Sequence, residues 1–230
     1  TLEEMTRNAR YIADALTIPV IIDADNGYGN AINVVRTVKE FEHAGVSGIH
    51  LEDQVWPKRC GHMFGKTLIP KEEMCQKLKA ALDAREDPDF VIIARCDAML
   101  VNGLDDVIDR CDAYIEAGAD MLFCEVREDM DEIKAVANHF KDRVPLHWNH
   151  SPSPMVPRMS AKEVEALGYK TCCFYVQSLM AAAKTMQEVL GQIYRTGTSE
   201  GVVERMIGFD ELWEINDMSS IRDMEKKYAV

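Results

Sequence analysis

The chain has no apolar stretch of about 18 residues, so nothing in it reads as a membrane-spanning helix. It carries no cleavable leader pattern. No CxxC pair occurs, and the seven cysteines are an odd number without the spacing of a disulfide framework. Cys172 and Cys173 are adjacent inside an apolar run. Reduced thiols in a cytoplasmic enzyme are the simplest reading. Positive charge is scarce: 26 Lys and Arg face 39 Asp and Glu, a net charge of −13. That argues against nucleic acid or an anionic membrane as partner. It leaves room for a small anionic substrate, because a local cluster of cations overrides the global field. Long linkers, low-complexity segments and strict repeats are also lacking.

What is present suits one large domain: 230 residues, 47% of them hydrophobic. Short apolar runs occur at Ile18–Ile22, Gly48–Leu51, Phe90–Ala94, Met121–Cys124, Val144–Trp148 and Thr171–Val176. Between them lie helical patterns at Ala31–Ala44, Lys71–Arg85, Leu104–Ala117, Met130–Phe140, Ala161–Leu167 and Ser178–Tyr194. In the first of these, Ile32, Val35, Val38 and Phe41 recur three apart. Glycines at 45, 118 and 168 stand where helices end and strands begin. Strand-like runs alternating with helices predict a parallel sheet with crossover helices.

The polar residues that close each run say more. Asp23 and Asp25, then His50, Glu52 and Asp53, then Arg95 and Asp97, then Glu125, then Asn149 follow five successive strands. In a (β/α)8 barrel those strand ends converge on one site. An open doubly wound sheet gathers its ligand groups at one crevice instead. The expected fold is therefore an α/β (β/α)8 TIM barrel. Only about six strands are visible and the first segment, Leu2–Leu16, reads as a helix, so the chain is expected to lack the first one or two strands. The barrel domain is expected over 1–198. A helical extension over 199–230, with no strand left to cover, is expected to pack on a neighbouring subunit.

Three constellations carry chemistry. In "DADNGYGN", Asn26-Gly27 alone would make a turn, but two aspartates two apart would share a strand face. With Glu52 and Asp53 they form a set of hard oxygen donors suited to Mg²⁺ or Mn²⁺. In "KRCGH", Lys58, Arg59 and a protonated His62 would favour the Cys60 thiolate. Cys60 then reads either as a nucleophile or as a proton donor, on a loop that Gly61 and Gly65 leave mobile. Arg95 reads as a clamp on a substrate carboxylate or as an ion-pair partner of the nearby acids. Glu125 would orient Arg95 or transfer protons, and His50 is most simply a core histidine. In "NHSPSP", Asn149, Ser151 and Ser153 offer neutral donors stiffened by two prolines.

Together "DADNGYGN", "HLEDQVWPKRCGH", "GK", "IIARCDA" and "NHSPS" resemble the isocitrate lyase / phosphoenolpyruvate mutase superfamily over nearly the whole chain from Leu2. "KRCGH" is the signature of the lyase branch; the mutase and phosphonopyruvate hydrolase branches lack that cysteine. The resemblance implies Mg²⁺-dependent cleavage of a 2-hydroxy di- or tricarboxylate into a 2-oxo acid and a dicarboxylate. Methylisocitrate, isocitrate and 2,3-dimethylmalate are the substrate types it implies. It implies that Asp23, Asp25 and Glu52 surround the metal and that Cys60 is the proton donor, with Arg95, Glu125 and His62 also catalytic. Lys58, Arg59, Gly61, Asn149, Ser151 and Ser153 would join Arg95 in binding substrate. A homotetramer with exchanged C-terminal helices is implied as well.

Two departures qualify the match. "NHSPS" is closer to isocitrate lyases, while "KRCGH" and the compact length are closer to methylisocitrate lyases. The family's Ser-Gly-Gly type loop, Tyr and further Asp from the first strands are not in this sequence. The alternatives are another activity of the superfamily, such as oxaloacetate hydrolysis or phosphonate C–P chemistry, or a non-catalytic scaffold. With the start of the barrel expected upstream, a mitochondrial matrix location stays open beside the cytoplasm.

Overall fold

A computed structural model describes residues 1–61 and 63–229. The chain divides into two compact units, Thr1–Tyr175 and a second beginning at Val176.

In the first unit, helix α1 (Leu2–Ala15) precedes six parallel strands. These are β1 (Ile21–Asp23), β2 (Gly48–Glu52), β3 (Val91–Cys96), β4 (Met121–Cys124), β5 (His147–Asn149) and β6 (Thr171–Cys173). The crossovers run through α2 (Ala31–His43), α3 (Lys71–Ala84), α4 (Leu104–Glu116), α5 (Met130–Phe140) and α6 (Ala161–Ala166). Strand order is sequential, β1-β2-β3-β4 in one ladder and β5-β6 in another. A parallel bridge between Leu122 and Leu146 joins the two ladders. Sequential parallel order is that of a (β/α)8 wall; a doubly wound sheet reverses order at its switch point.

β1, β3 and β5 sit further along the chain than their apolar runs and β2 extends one residue past its run, whereas β4 coincides with its run and β6 stops three residues short. Asp23 pairs with His50, Glu52 with Arg95, Arg95 with Phe123 and Asn149 with Cys173. The ladder hydrogen bonds therefore continue into the polar residues. Ile18 lies outside β1 and is exposed. The buried stripe of α2 also differs from the expected one. Val34, Thr37, Val38 and Phe41 face the core, while Ile32 is 77% exposed. Thr37 tolerates burial because its hydroxyl donates to the carbonyl of Gly27 (2.9 Å), with that of Asn33 within reach (3.1 Å). Phe41, Leu78, Tyr114, Phe140 and Trp148 fill the core between helices and sheet. Each such side chain stabilises by about 2–3 kcal/mol on burial. Gly45, Gly118 and Gly168 all have positive φ at helix ends, as the sequence led one to expect.

The second unit holds α7 (Gln177–Thr196), α8 (Phe209–Ile215) and α9 (Met218–Tyr228). None of the three has a buried residue. The unit begins at α7, upstream of the 198/199 boundary expected above.

Candidate active site

β1 ends at Asp23, and the chain then turns sharply. Asp25 and Tyr28 both adopt left-handed backbone, φ 49° and 59°. For L-residues that is strained, and such strain concentrates at functional sites. The turn is held by Asp23, whose Oδ1 accepts the Asp25 N–H (2.8 Å), and by the buried Lys77, which donates to the Asn26 carbonyl (3.0 Å). Gly27 (φ 84°) admits no side chain, since a Cβ there would lie 2.4 Å from Val34 Cγ2. Asp23 and Asp25 do come together, but through this turn rather than through strand alternation.

They meet around one cation. Lys58 Nζ lies 2.7 Å from Asp25, 3.6 Å from Asp23 and 3.7 Å from Glu52. Burial works against the Lys58 charge, but Asp23, Glu52 and Asp25 raise its pKa above the ordinary lysine value. Glu52 is wholly buried, and neither of its carboxylate oxygens has a hydrogen bond. Burial pushes its carboxyl up to about 8, against the opposing pull of Arg95 and Lys58. Asp23 is held below the ordinary range: burial opposes this, and His50, Lys58 and Arg95 outweigh it. Burial lowers the His50 pKa. Asp53, next to Glu52 in the chain, points the other way, bonded by Tyr114 OH (2.8 Å) and the Asp97 N–H (2.8 Å), with Arg110 beside it. Asp53 is thus no part of the oxygen cluster, because consecutive strand residues face opposite sides.

Among the described residues, no three His, Cys, Asp or Glu side chains close up into a ready-made metal site. The acids are spread around the Lys58 ammonium instead. The donor set nonetheless fits a divalent cation: three carboxylates, all hard oxygens, one of them buried with both oxygens lacking a hydrogen bond.

Arg95 is buried and lies among three acids. It meets Asp97 through Nε (3.1 Å) and Nη2 (3.2 Å), Glu52 through Nε (3.4 Å) and Glu125 through Nη2 (3.5 Å). Its guanidinium also packs over the Phe123 ring, 4.8 Å from the centroid. The ion-pair reading of Arg95 is thus realised in this structure, while its side chain still reaches the cavity. Burial would push the Asp97 carboxyl up, but Arg95 and Lys66 hold it at about 2.

Cys60 is exposed and lines the cavity together with Gly61. The cations expected to flank it serve other partners. Lys58 turns to the carboxylates, and Arg59 donates to the Phe64 carbonyl (3.3 Å), away from the cavity lining. His62 lies outside the described residues. Gly61 packs so tightly that a Cβ there would be 2.3 Å from Glu125 Oε1 and 2.6 Å from Arg95 Nη2.

Asn149 donates to Glu125 Oε1 (3.3 Å) and lines the cavity. Ser151 and Ser153 do not. Ser151 is buried with its hydroxyl on Tyr175 OH (3.1 Å), and the Ser153 hydroxyl accepts the Met155 N–H (3.2 Å) in a local turn. Tyr175 itself lines the cavity and was not singled out in the sequence, although it follows the last strand as the other site residues follow theirs. His147, held by Thr171 Oγ1 (2.7 Å), is a further lining residue; burial, with His50 and Arg95 nearby, pushes it down to about 4.

The cavity measures ≈ 460 Å³. It is open to Asp23, Lys58, Cys60, Arg95, Glu125 and Asn149. That size accommodates a small organic acid.

The sequence model of the phosphoenolpyruvate phosphomutase family matches residues 1–194. A 2,3-dimethylmalate lyase from Eubacterium barkeri is 42% identical over 231 residues, covering 100% of this chain and 78% of that protein. A 2-methylisocitrate lyase from Aeropyrum pernix is 38% identical over 229 residues, covering 100% of this chain and 72% of that protein. Among solved structures, phosphonopyruvate hydrolase in complex with oxalate and Mg²⁺ superposes with a TM-score of 0.89 at 31% identity, covering 100% of this chain and 80% of that one.

Proposed function

The chain belongs to the phosphoenolpyruvate phosphomutase family, and from that premise we propose that it cleaves the C2–C3 bond of a 2-hydroxy di- or tricarboxylate, releasing a 2-oxo acid, with Cys60 as proton donor. That the chain is a carbon–carbon lyase of this superfamily rests on relatives named as 2,3-dimethylmalate lyase and 2-methylisocitrate lyase. The observation that carries the finer reading is that two groups meet at one cavity. One is the acid cluster of Asp23, Asp25 and Glu52 around Lys58, which reaches the cavity lining through Asp23 and Lys58; the other is the exposed thiol of Cys60.

Asp23, Asp25 and Glu52 would hold Mg²⁺ at the position that Lys58 now neutralises. Bound there, the ion supplies Lewis-acid polarisation of the substrate's hydroxyl and carboxylate oxygens. Arg95 presents a guanidinium at the cavity wall for a substrate carboxylate, and Asp97 and Glu125 fix its plane. Glu125 is the carboxylate placed beside Arg95 to accept the hydroxyl proton. When the C2–C3 bond breaks, its electrons pass to the carboxylate on C3. The carbon left behind takes a proton from the Cys60 thiol. Asn149 and Tyr175 offer neutral donors to that second carboxylate. Arg95 and Glu125 are buried, which strengthens their interactions relative to water.

The exposed apolar residues of α7–α9, including Leu190, Phe209 and Tyr228, support packing of the second unit on a neighbouring subunit of a homotetramer. The seven free thiols suit a reducing compartment, and the proposal places the enzyme in the cytoplasm.

The test is release of 2-oxo acid from 2,3-dimethylmalate, 2-methylisocitrate and isocitrate, each with Mg²⁺ and with EDTA. Metal-dependent release from one of them supports the proposal and names the substrate. A folded protein that releases nothing from any of the three, but hydrolyses oxaloacetate or phosphonopyruvate, moves it to another activity of the superfamily.

A further inference from the structure

One carboxylate behind the cavity holds both the site's arginine and the backbone on either side of Cys60. Asp97 is wholly buried and does not line the cavity. Arg95 donates to it through Nε (3.1 Å) and Nη2 (3.2 Å). Gln54 Nε2 donates to its Oδ2 (3.0 Å), and Lys66 Nζ to its Oδ1 (3.1 Å). Four donors thus fill the roughly four lone-pair sites of a carboxylate.

The last two donors each make a second bond, and both go to the loop. Gln54 Nε2 reaches the Arg59 carbonyl (2.9 Å), while Gln54 Oε1 accepts the Arg59 N–H (2.9 Å). Lys66 Nζ reaches the Gly61 carbonyl (2.6 Å). The clamped residues, 59 and 61, flank Cys60 directly. The bond to Gly61 also sets that residue against Glu125 and Arg95, where there is no room even for a methyl group. Gln54 and Lys66 are themselves almost fully buried. A buried ammonium is costly unless paired, so Lys66 depends on Asp97 as much as the loop depends on Lys66.

We propose that Asp97, acting through Gln54 and Lys66, is the positioning residue that fixes Cys60 over the Arg95–Glu125 pair. The inference rests on the reading of Cys60 as proton donor. It explains why one acid is shared between a substrate-facing arginine and the loop: any change in the Arg95–Asp97 geometry reaches the seat of Cys60 directly. Asparagine at 97 would turn an N–H toward a guanidinium and an ammonium, and lose half the acceptors.

The test uses the full chain with Lys66→Met and Asp97→Asn. One readout is independent of activity: the rate at which trypsin cuts between Arg59 and Cys60, mapped by mass spectrometry. That rate follows the opening equilibrium of the loop. Loss of one charge-assisted buried bond is expected to raise it about tenfold or more. The second readout is kinetic. With the thiol misplaced, kcat falls about tenfold or more while KM moves by less than about threefold, as expected of an interaction used in the transition state. Cutting and kcat both within about twofold of wild type in Lys66→Met would overturn the proposal, and so would faster cutting with unchanged kcat. Should Asp97→Asn fail to fold, Lys66→Met decides alone, since it leaves the Arg95–Asp97 pair in place. A wild type without lyase activity would fail the functional reading, whereas the trypsin comparison would still report whether the clamps seat the loop.

Discussion

Alanine at position 61 adds one methyl group in a place already occupied. Gly61 lies outside the left-handed region, so its backbone suits alanine and the perturbation is purely steric. The new Cβ would stand 2.3 Å from Glu125 Oε1, 2.7 Å from Glu125 Cδ and 2.6 Å from Arg95 Nη2. Ordinary contact begins near 3.4 Å, so loop and ion pair must part by about 1 Å. Neither side gives easily: Arg95 is held by Asp97 and Glu52, and Gly61 by Lys66. A misplacement of about 1 Å at a reacting centre costs on the order of 100-fold in rate. Gly61→Ala is therefore expected to lose about 100-fold in kcat/KM for 2-oxo acid release per folded molecule, with a stability loss of about 1–3 kcal/mol from the overpacked contact. Gly103→Ala is the matched control. It has positive φ (90°) but nothing within 4 Å of the added carbon, so it should lose some stability and keep its rate per folded molecule. A Gly61→Ala enzyme retaining half or more of wild-type kcat/KM would refute the geometry argued for the loop.

Other outcomes follow from single contacts. Thr37→Val removes the donor to the Gly27 carbonyl (2.9 Å) at a fully buried position. It should cost about 1–3 kcal/mol in urea unfolding, and a change below the error of the measurement would speak against that bond. Glu52 ionises near 8 in the folded chain against an ordinary 4.5, so the folded state keeps a proton that the unfolded state releases. Without metal, its contribution therefore falls as pH rises from about 4.5 to about 8. Glu52→Gln should remove that fall; a difference between wild type and variant that is constant with pH, measured in EDTA, would contradict it. Millimolar Mg²⁺ should raise the wild-type melting temperature by mass action. Asp25→Asn should abolish the rise, and an undiminished rise in that variant would remove Asp25 from the metal shell.

Much of the site is readable in the sequence because a parallel sheet places its strand ends side by side. Asp23, Glu52, Arg95, Glu125 and Asn149 stand out as polar residues closing apolar runs, and the ladder pairs Glu52 with Arg95 directly. Which acid faces inward is a question of strand phase. Glu52 and Asp53 differ by one position and so by one face, and only Arg110 and Tyr114, far along the chain, reveal the partner side. The same limit applies to α2, where the true stripe runs through Thr37 because Gly27 and Asn33 can take its hydroxyl. Asp97 was visible only as a polar neighbour of Arg95. Its role depends on Gln54 and Lys66, 43 and 31 residues away, and periodicity carries no information at that range. Arg59, Ser151 and Ser153 lie off the cavity lining in this structure for a related reason: each has a local backbone partner for its side chain, which spacing alone does not reveal.

Cys60 is the residue on which the proposed chemistry turns, and the most direct measurement is Mg²⁺-dependent 2-oxo acid release by wild type and Cys60→Ser side by side. Wild type should release 2-oxo acid from 2,3-dimethylmalate or 2-methylisocitrate, and EDTA should abolish the release. The serine enzyme should lose several hundred-fold or more, on the order of what general acid catalysis supplies. Release that persists at the wild-type rate in Cys60→Ser would mean that the thiol on the cavity wall is not the proton donor.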